Sequence, residues 1–87
     1  MLFRSTYLNY GTALLKSGQT AAAAEQFARA VQIAPTNATA HAKLGGALAE
    51  LKQGKEAASQ LREALRLDPQ NLAARRLLES LGLSAAP

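Results

Sequence analysis

The 87-residue chain lacks cysteine and tryptophan, and it has one histidine and one methionine. The absence of cysteine excludes disulfide bonds and thiolate metal sites. No apolar run approaches the roughly 18 residues that a membrane-spanning helix needs, and the first five residues hold no apolar core of signal-peptide length. We therefore expect no membrane span and, unless a targeting segment precedes this sequence, a cytoplasmic protein.

Acidic side chains are scarce. The chain has six Asp and Glu against ten Lys and Arg, which gives a net charge of +4 and an isoelectric point of about 10.0. A domain isoelectric point above about 9 is one indication of nucleic-acid binding. However, only 18% of the residues are charged, and the basic ones are spread from Arg4 to Arg76. We therefore do not expect nucleic acid to be the main partner.

A frame of aromatic, small and apolar residues occurs twice, 34 residues apart. Gly11 recurs as Gly45, and Pro35 recurs as Pro69. The other members of the frame keep the same offset: Tyr7, Tyr10, Leu14, Ala23 and Phe27 in the first copy, and His41, Leu44, Leu48, Ala57 and Leu61 in the second. A fixed period of this kind is typical of repeat architectures.

The apolar residues within each copy have helical spacing, which predicts five helices in all. Gly18 ends the first helix, and Pro35 and Pro69 end the second and fourth. Asn and Thr side chains favour the position before a helix, and the candidates here are Thr20, Thr36 or Asn37, and Asn71. The predicted bounds of the later helices are about 21–33, 38–51, 55–67 and 72–81.

Helices in pairs with short turns predict antiparallel hairpins stacked side by side. Gly11 and Gly45 are expected where helices meet most closely, with bulkier residues such as Tyr10 and Leu44 filling the space between them. Lys52 stands where the first hairpin has Gly18, with a glycine two residues further on. We therefore expect the second hairpin turn to differ from the first.

This frame resembles the tetratricopeptide repeat, a 34-residue helix–turn–helix unit with the pattern Trp-x-x-Leu-Gly-x-x-Tyr, Ala-x-x-x-Phe and Pro. The resemblance covers about residues 4–70. It implies an all-α fold, an α-α superhelix (solenoid) of two hairpins plus a C-terminal capping helix in a single domain over residues 1–87. The expected units are repeat one at about 4–37, repeat two at about 38–71 and the capping helix at about 72–82.

The last helix departs from the repeat pattern. A third copy would begin near Leu72, but Arg75, Glu79 and Gly82 stand at its Trp, Gly and Tyr places. We therefore interpret this helix as a cap that covers repeat two with one apolar face and shows polar groups outside. The residues predicted on that face are Leu72, Leu78 and Leu81.

No arrangement of side chains indicates catalysis. Nothing pairs a nucleophile with a base and an orienting group, and the single histidine, His41, lies at a packing position of the frame. The Gly45-Gly46 pair lies within a helical pattern and lacks phosphate-loop spacing. We expect a protein that is not an enzyme and that has no cofactor.

In the resembled family, the first helix of each pair lines a concave groove that takes extended or helical peptides. The resemblance therefore implies a protein or peptide partner. The implied groove positions are Ser5, Leu8, Asn9, Thr12, Lys16, Thr39, Ala42, Lys43, Gly46 and Glu50, with Arg76 at the far end. Spacing alone supports part of this set, because residues three and four apart share one helical face.

Charge at these positions suggests which peptides would bind. Lys16, Lys43 and Arg76 favour an acidic partner, although Glu50 opposes it. Some members of the resembled family clamp a peptide carboxylate with Lys and Asn. We do not expect that clamp, because Leu8 and Thr12 occupy two of its places and Lys43 occupies a third.

Two alternatives come from other classes of function. The first is self-assembly, a homo-oligomer formed through the uncapped end at Met1–Phe3 with Leu8 and Leu15. The second is a nucleic-acid or anionic-surface binder. It would use a basic stripe on the fourth helix, formed by Lys55, Ser59, Arg62 and Arg66.

Overall fold

The computed structural model describes the backbone of residues 4–83 and the side chains of residues 6–83. The assembly end predicted at Met1–Phe3 and the groove side chain of Ser5 lie outside this part. Five helices and no strand are present in residues 4–83, which confirms the all-α fold class. The helices are α1 (Arg4–Lys16), α2 (Thr20–Ile33), α3 (Ala38–Glu50), α4 (Gly54–Leu67) and α5 (Leu72–Ser80).

The five helices form two layers. α2 touches α1 and α3, and α4 touches α3 and α5. In the other layer α3 touches both α1 and α5, whereas α2 and α4 do not touch within the described part of the chain. Because neighbouring helices meet in one layer and separate in the other, the stack curves, and α1, α3 and α5 form its concave side.

Two glycines allow the paired helices to approach closely, as predicted. A Cβ atom built on Gly11 would lie 2.5 Å from Cε1 of Phe27, and one on Gly45 would lie 2.6 Å from Cγ of Leu61. Phe27 and Leu61 are fully buried. Each hairpin is therefore closed by a glycine on its first helix and a large apolar side chain on its second.

Asparagine caps the helices that follow the two proline turns. Oδ1 of Asn37 accepts a hydrogen bond from Ala40 N at 3.1 Å, and Oδ1 of Asn71 accepts one from Ala74 N at 3.0 Å. The predicted cap at Thr20 is wrong. Thr20 is the first residue of α2, and Gln19 precedes it without a side-chain capping bond.

The two hairpin turns have the same conformation, so the expected difference between them is also wrong. Lys52 adopts a left-handed φ of 65°, close to the 86° of Gly18. Each turn ends with a bond that closes the helix in the manner of a Schellman motif. These bonds run from Gln19 N to Leu14 O and from Gln53 N to Leu48 O, both at 2.9 Å. The turn therefore keeps its shape without glycine at the left-handed position.

Two apolar residues lie elsewhere than predicted. Tyr10 is 56% exposed, because α1 has no helix before it in residues 4–83, whereas the equivalent Leu44 is buried against α2. Leu72 is 60% exposed. Successive residues turn by about 100° around a helix, so Leu72 lies well away from Leu78. The covering face of α5 is formed instead by Ala74 and Leu78, with Leu77 and Leu81 beside them.

Candidate functional site

A pocket opens on the concave side where α1, α3 and α5 meet. Its volume is about 350 Å³. The residues that line this groove pocket are Leu15 from α1, then Thr39, Ala42, Lys43 and Gly46 from α3, and Asn71, Ala73 and Leu77 around the start of α5. Because three helices and a helix cap contribute, the pocket exists only in the stacked fold.

Glycine at position 46 keeps the pocket open. A Cβ atom there would meet a single neighbour, Cδ1 of Leu77, at 3.4 Å, which is an ordinary van der Waals contact. Gly46 therefore differs from Gly45, whose missing side chain is needed inside the hairpin. Small Ala42 and the two half-buried leucines, Leu15 and Leu77, make the rest of the lining largely apolar.

The polar rim of the groove pocket consists of Thr39, Lys43 and Asn71. Oδ1 of Asn71 is already used as the cap of α5. Nζ of Lys43 lies 6.0 Å from the centre of the Phe27 ring, so the Lys43 side chain leans over the core. Among residues 6–83 Lys43 makes no ion pair, which leaves its ammonium group available to a partner.

The structure brings four of the eleven predicted groove residues together in this pocket: Thr39, Ala42, Lys43 and Gly46. Leu8 is half-buried against the first core cluster, and Oγ1 of Thr12 donates a hydrogen bond to Leu8 O at 2.8 Å. The remaining predicted positions with described side chains are exposed and outside the pocket lining: Asn9, Lys16, Glu50 and Arg76.

Sequence reasoning missed four lining residues, namely Leu15, Asn71, Ala73 and Leu77. The 34-residue step reaches two of them, since Ala73 is equivalent to Thr39 and Leu77 to Lys43. The same step had selected Arg76, the equivalent of Ala42. Ala42 is buried because α5 covers it, whereas no described helix follows α5 to cover Arg76.

The predicted basic stripe lies on the outer layer, and its four members are all exposed. Nε of Arg66 donates to Oε1 of Glu63 at 2.9 Å, and the two side chains form an ion pair. This hydrogen bond lowers the pKa of Glu63 below its ordinary value and raises the pKa of Arg66. One of the three cations of the stripe is therefore already neutralised by a carboxylate.

His41 is buried and links three segments of the fold, as expected for a packing position. Its Nδ1 lies 2.7 Å from Oε1 of Gln60, and its Nε2 lies 2.8 Å from the carbonyl oxygen of Pro35. Both ring nitrogens are thus occupied by the protein itself. Within the described residues no group of three His, Asp or Glu side chains is placed to hold a metal ion.

The surface predicted for self-assembly also needs correction. Leu8 and Leu15 are half-buried and pack against the first core cluster of their own chain. They are therefore not an exposed assembly surface. Within residues 4–83 no helix has both the length and the apolar character needed to span a bilayer.

Comparison with known families supports the repeat interpretation. A family model described as tetratricopeptide repeat matches residues 14–81, well over half of the chain. No curated protein matches the sequence.

Proposed function

Because the chain belongs to the tetratricopeptide repeat family, whose repeats are generally protein-interaction modules and typically non-catalytic scaffolds, we propose that it binds a peptide or a partner helix in its concave groove. The groove pocket between α1, α3 and α5 carries this proposal. Its volume of about 350 Å³ lies within the range of about 300–1,000 Å³ that is usual for binding pockets.

The pocket would take one apolar side chain of the partner. Leu15, Gly46 and Leu77 offer it apolar surface at the base of the groove. Burial of such a side chain is the main source of binding free energy, on the order of 25 cal/mol for each Å² of apolar surface removed from water. A partner without an apolar anchor would therefore bind weakly.

Charge at the rim favours an acidic residue next to that anchor. The ammonium group of Lys43 stands at the pocket rim without a carboxylate partner among residues 6–83. Lys16 and Arg76 add exposed positive charge on α1 and α5, and Glu50 on α3 opposes it. We infer a partner segment with an apolar side chain flanked by Asp or Glu, bound with a dissociation constant on the order of micromolar.

The proposal is tested by filling the pocket. Peptides are selected from a displayed random library on the intact chain, and their affinity is then measured by fluorescence anisotropy. We expect Gly46→Leu to weaken binding by about tenfold or more, since about 1.4 kcal/mol corresponds to tenfold. The matched control is Ser59→Leu, which adds the same side chain to the exposed outer face of α4.

Equal affinity of the Gly46→Leu variant and the unchanged protein would show that the partner does not use this pocket. Selection of peptides without an apolar residue would also contradict the proposal. Circular dichroism and thermal unfolding establish that the variant remains folded before its affinity is compared.

A further inference from the structure

A second surface is uncovered at the first helix. Thr6, Tyr10 and Ala13 are four and three residues apart on α1, so they lie on one helical face. We name these three residues the Tyr10 face. All three are exposed, and Tyr10 is one of the most exposed large apolar residues among residues 6–83. This face lies outside the groove pocket.

The chain contains two more copies of this face, and both are covered by a helix. The equivalents on α3 are Ala40, Leu44 and Ala47, which are 0%, 7% and 0% exposed. They pack against α2, the helix that precedes α3. The equivalents on α5 are Ala74, Leu78 and Leu81, which pack against α4. The Tyr10 face is thus the one copy in the described chain that lacks a covering helix.

The two covering helices present the same apolar pattern. α2 contributes Ala24, Phe27 and Val31 to its core cluster. At the same repeat positions, α4 contributes Ala58, Leu61 and Leu65. In both helices a small residue is followed three positions later by a large apolar one, and four positions after that by a branched aliphatic one. This pattern describes the kind of helix that fits the face.

A second folded copy of the chain does not offer such a helix. The apolar faces of α2 and α4 in any copy already hold α3 and α5. Charge gives a further requirement, because the α1 sequence contains Arg4 and Lys16 and no acidic residue. Acidic side chains at the edges of the docking helix would complement it.

We propose that the Tyr10 face docks one amphipathic helix of a partner protein, which carries the apolar pattern shared by α2 and α4 and has acidic residues at its edges. The seat is complete in the way that matters for docking. Tyr10 supplies a large amphipathic side chain of the type that dominates interface energetics, and small Ala13 one turn away allows the incoming helix to approach. This surface acts independently of the groove pocket.

The test uses a hydrocarbon-stapled peptide with the sequence of α2, Thr20–Ile33, because a free helix of this length is only marginally stable. The peptide is titrated into isotope-labelled protein, and amide chemical shifts are followed. We expect saturable changes at Thr6, Tyr10 and Ala13 and none at Gly46. Replacing Arg29 of the peptide by Glu should tighten binding, and replacing its Phe27 by Ala should weaken it.

Substitution in the protein separates this face from the groove. Tyr10→Glu should weaken peptide binding by about tenfold or more, as expected for loss of a central aromatic contact. Tyr10 is largely exposed, so the variant should keep its unfolding temperature; Ala13→Glu serves as a second disruptive variant. Lys43→Gln at the groove rim is the matched control and should leave binding unchanged.

Several results would overturn the proposal. One is the absence of shift changes at millimolar peptide, and another is a set of changes confined to Gly46 and Leu77, which would place the peptide in the groove. Changes spread through α2 and α3 would mean that the peptide replaces α2. A concentration-dependent dimer abolished by Tyr10→Glu would make a second copy the occupant.

Discussion

Lys52 occupies the left-handed backbone position that Gly18 occupies 34 residues earlier. Its φ is 65°, against 86° for the glycine, and the helix-closing bond that follows has the same length in both turns. A non-glycine residue in this conformation is strained, because its Cβ approaches the following carbonyl oxygen. The second hairpin therefore keeps the shape of the first at a cost in conformational free energy.

Lys52→Gly should stabilise the protein. Relief of the left-handed strain is worth about 1–2 kcal/mol, and the greater backbone freedom of glycine in the unfolded chain offsets about 0.5–1 kcal/mol of it. We expect a net gain of about 0.5–1 kcal/mol, seen as a rise of several degrees in the thermal unfolding midpoint. Gly18→Ala is the reciprocal control and should lower the midpoint. A Lys52→Gly variant that is less stable would contradict the strain argument.

Gly45→Leu should destabilise the second hairpin. A Cβ atom at position 45 would lie 2.6 Å from Cγ of Leu61 and 3.2 Å from the backbone oxygen of Ala57, so the clash includes atoms that cannot rotate away. Overpacking of this kind costs about 1–3 kcal/mol and occasionally more, and we expect a loss at the upper end. Chemical denaturation measures it. Gly46→Ala, which meets only Leu77 at 3.4 Å, is the neighbouring control, and a loss at Gly45 under about 0.5 kcal/mol would remove the close contact from the account.

Lys43→Glu should weaken an acidic peptide and also lower stability slightly. The sequence alone predicted no stability change for this substitution, but the structure puts Nζ of Lys43 at 6.0 Å from the Phe27 ring centre. A cation at that distance contributes at most about 0.5–1 kcal/mol. Lys16→Glu, at an exposed position on α1, separates general charge repulsion from the pocket effect. If Lys43→Glu and Lys16→Glu reduce affinity equally, Lys43 has no special position at the groove pocket.

The Glu63–Arg66 pair should give a small dependence of stability on pH. Hydrogen bonding to Arg66 lowers the pKa of Glu63 below its ordinary value of 4.5. A carboxyl whose folded-state pKa is depressed stabilises the fold above its unfolded-state pKa, and this contribution is lost as the pH falls through the folded-state value. Thermal unfolding of Glu63→Gln should therefore differ from that of the unchanged protein at pH 7, and the difference should shrink in acid below about pH 4.5.

A difference between the two proteins that stayed constant from pH 7 into acid would show that the pair does not act through the ionised carboxyl of Glu63. Added salt offers a second check, because exposed ion pairs are screened. The difference at pH 7 should become smaller at high ionic strength.

The sequence by itself determined the repeat, the helices and the local closures of this protein. The 34-residue step placed Gly11 against Phe27 and Gly45 against Leu61, and the residues before the helices included the caps Asn37 and Asn71. These features depend on neighbours along the chain or on a period that the chain states twice, so they can be read from one dimension.

Only the tertiary structure decided which equivalent residues are covered. Tyr10 and Leu44 have the same place in the frame, yet α2 covers Leu44 and no described helix covers Tyr10. Likewise Leu77 completes the groove pocket while Arg76 does not. The left-handed Lys52 shows the same limit from the other side, since packing of the second hairpin imposes a turn that its sequence does not favour. Burial and backbone strain depend on neighbours in space, and a repeat at the end of a stack has neighbours on one side only.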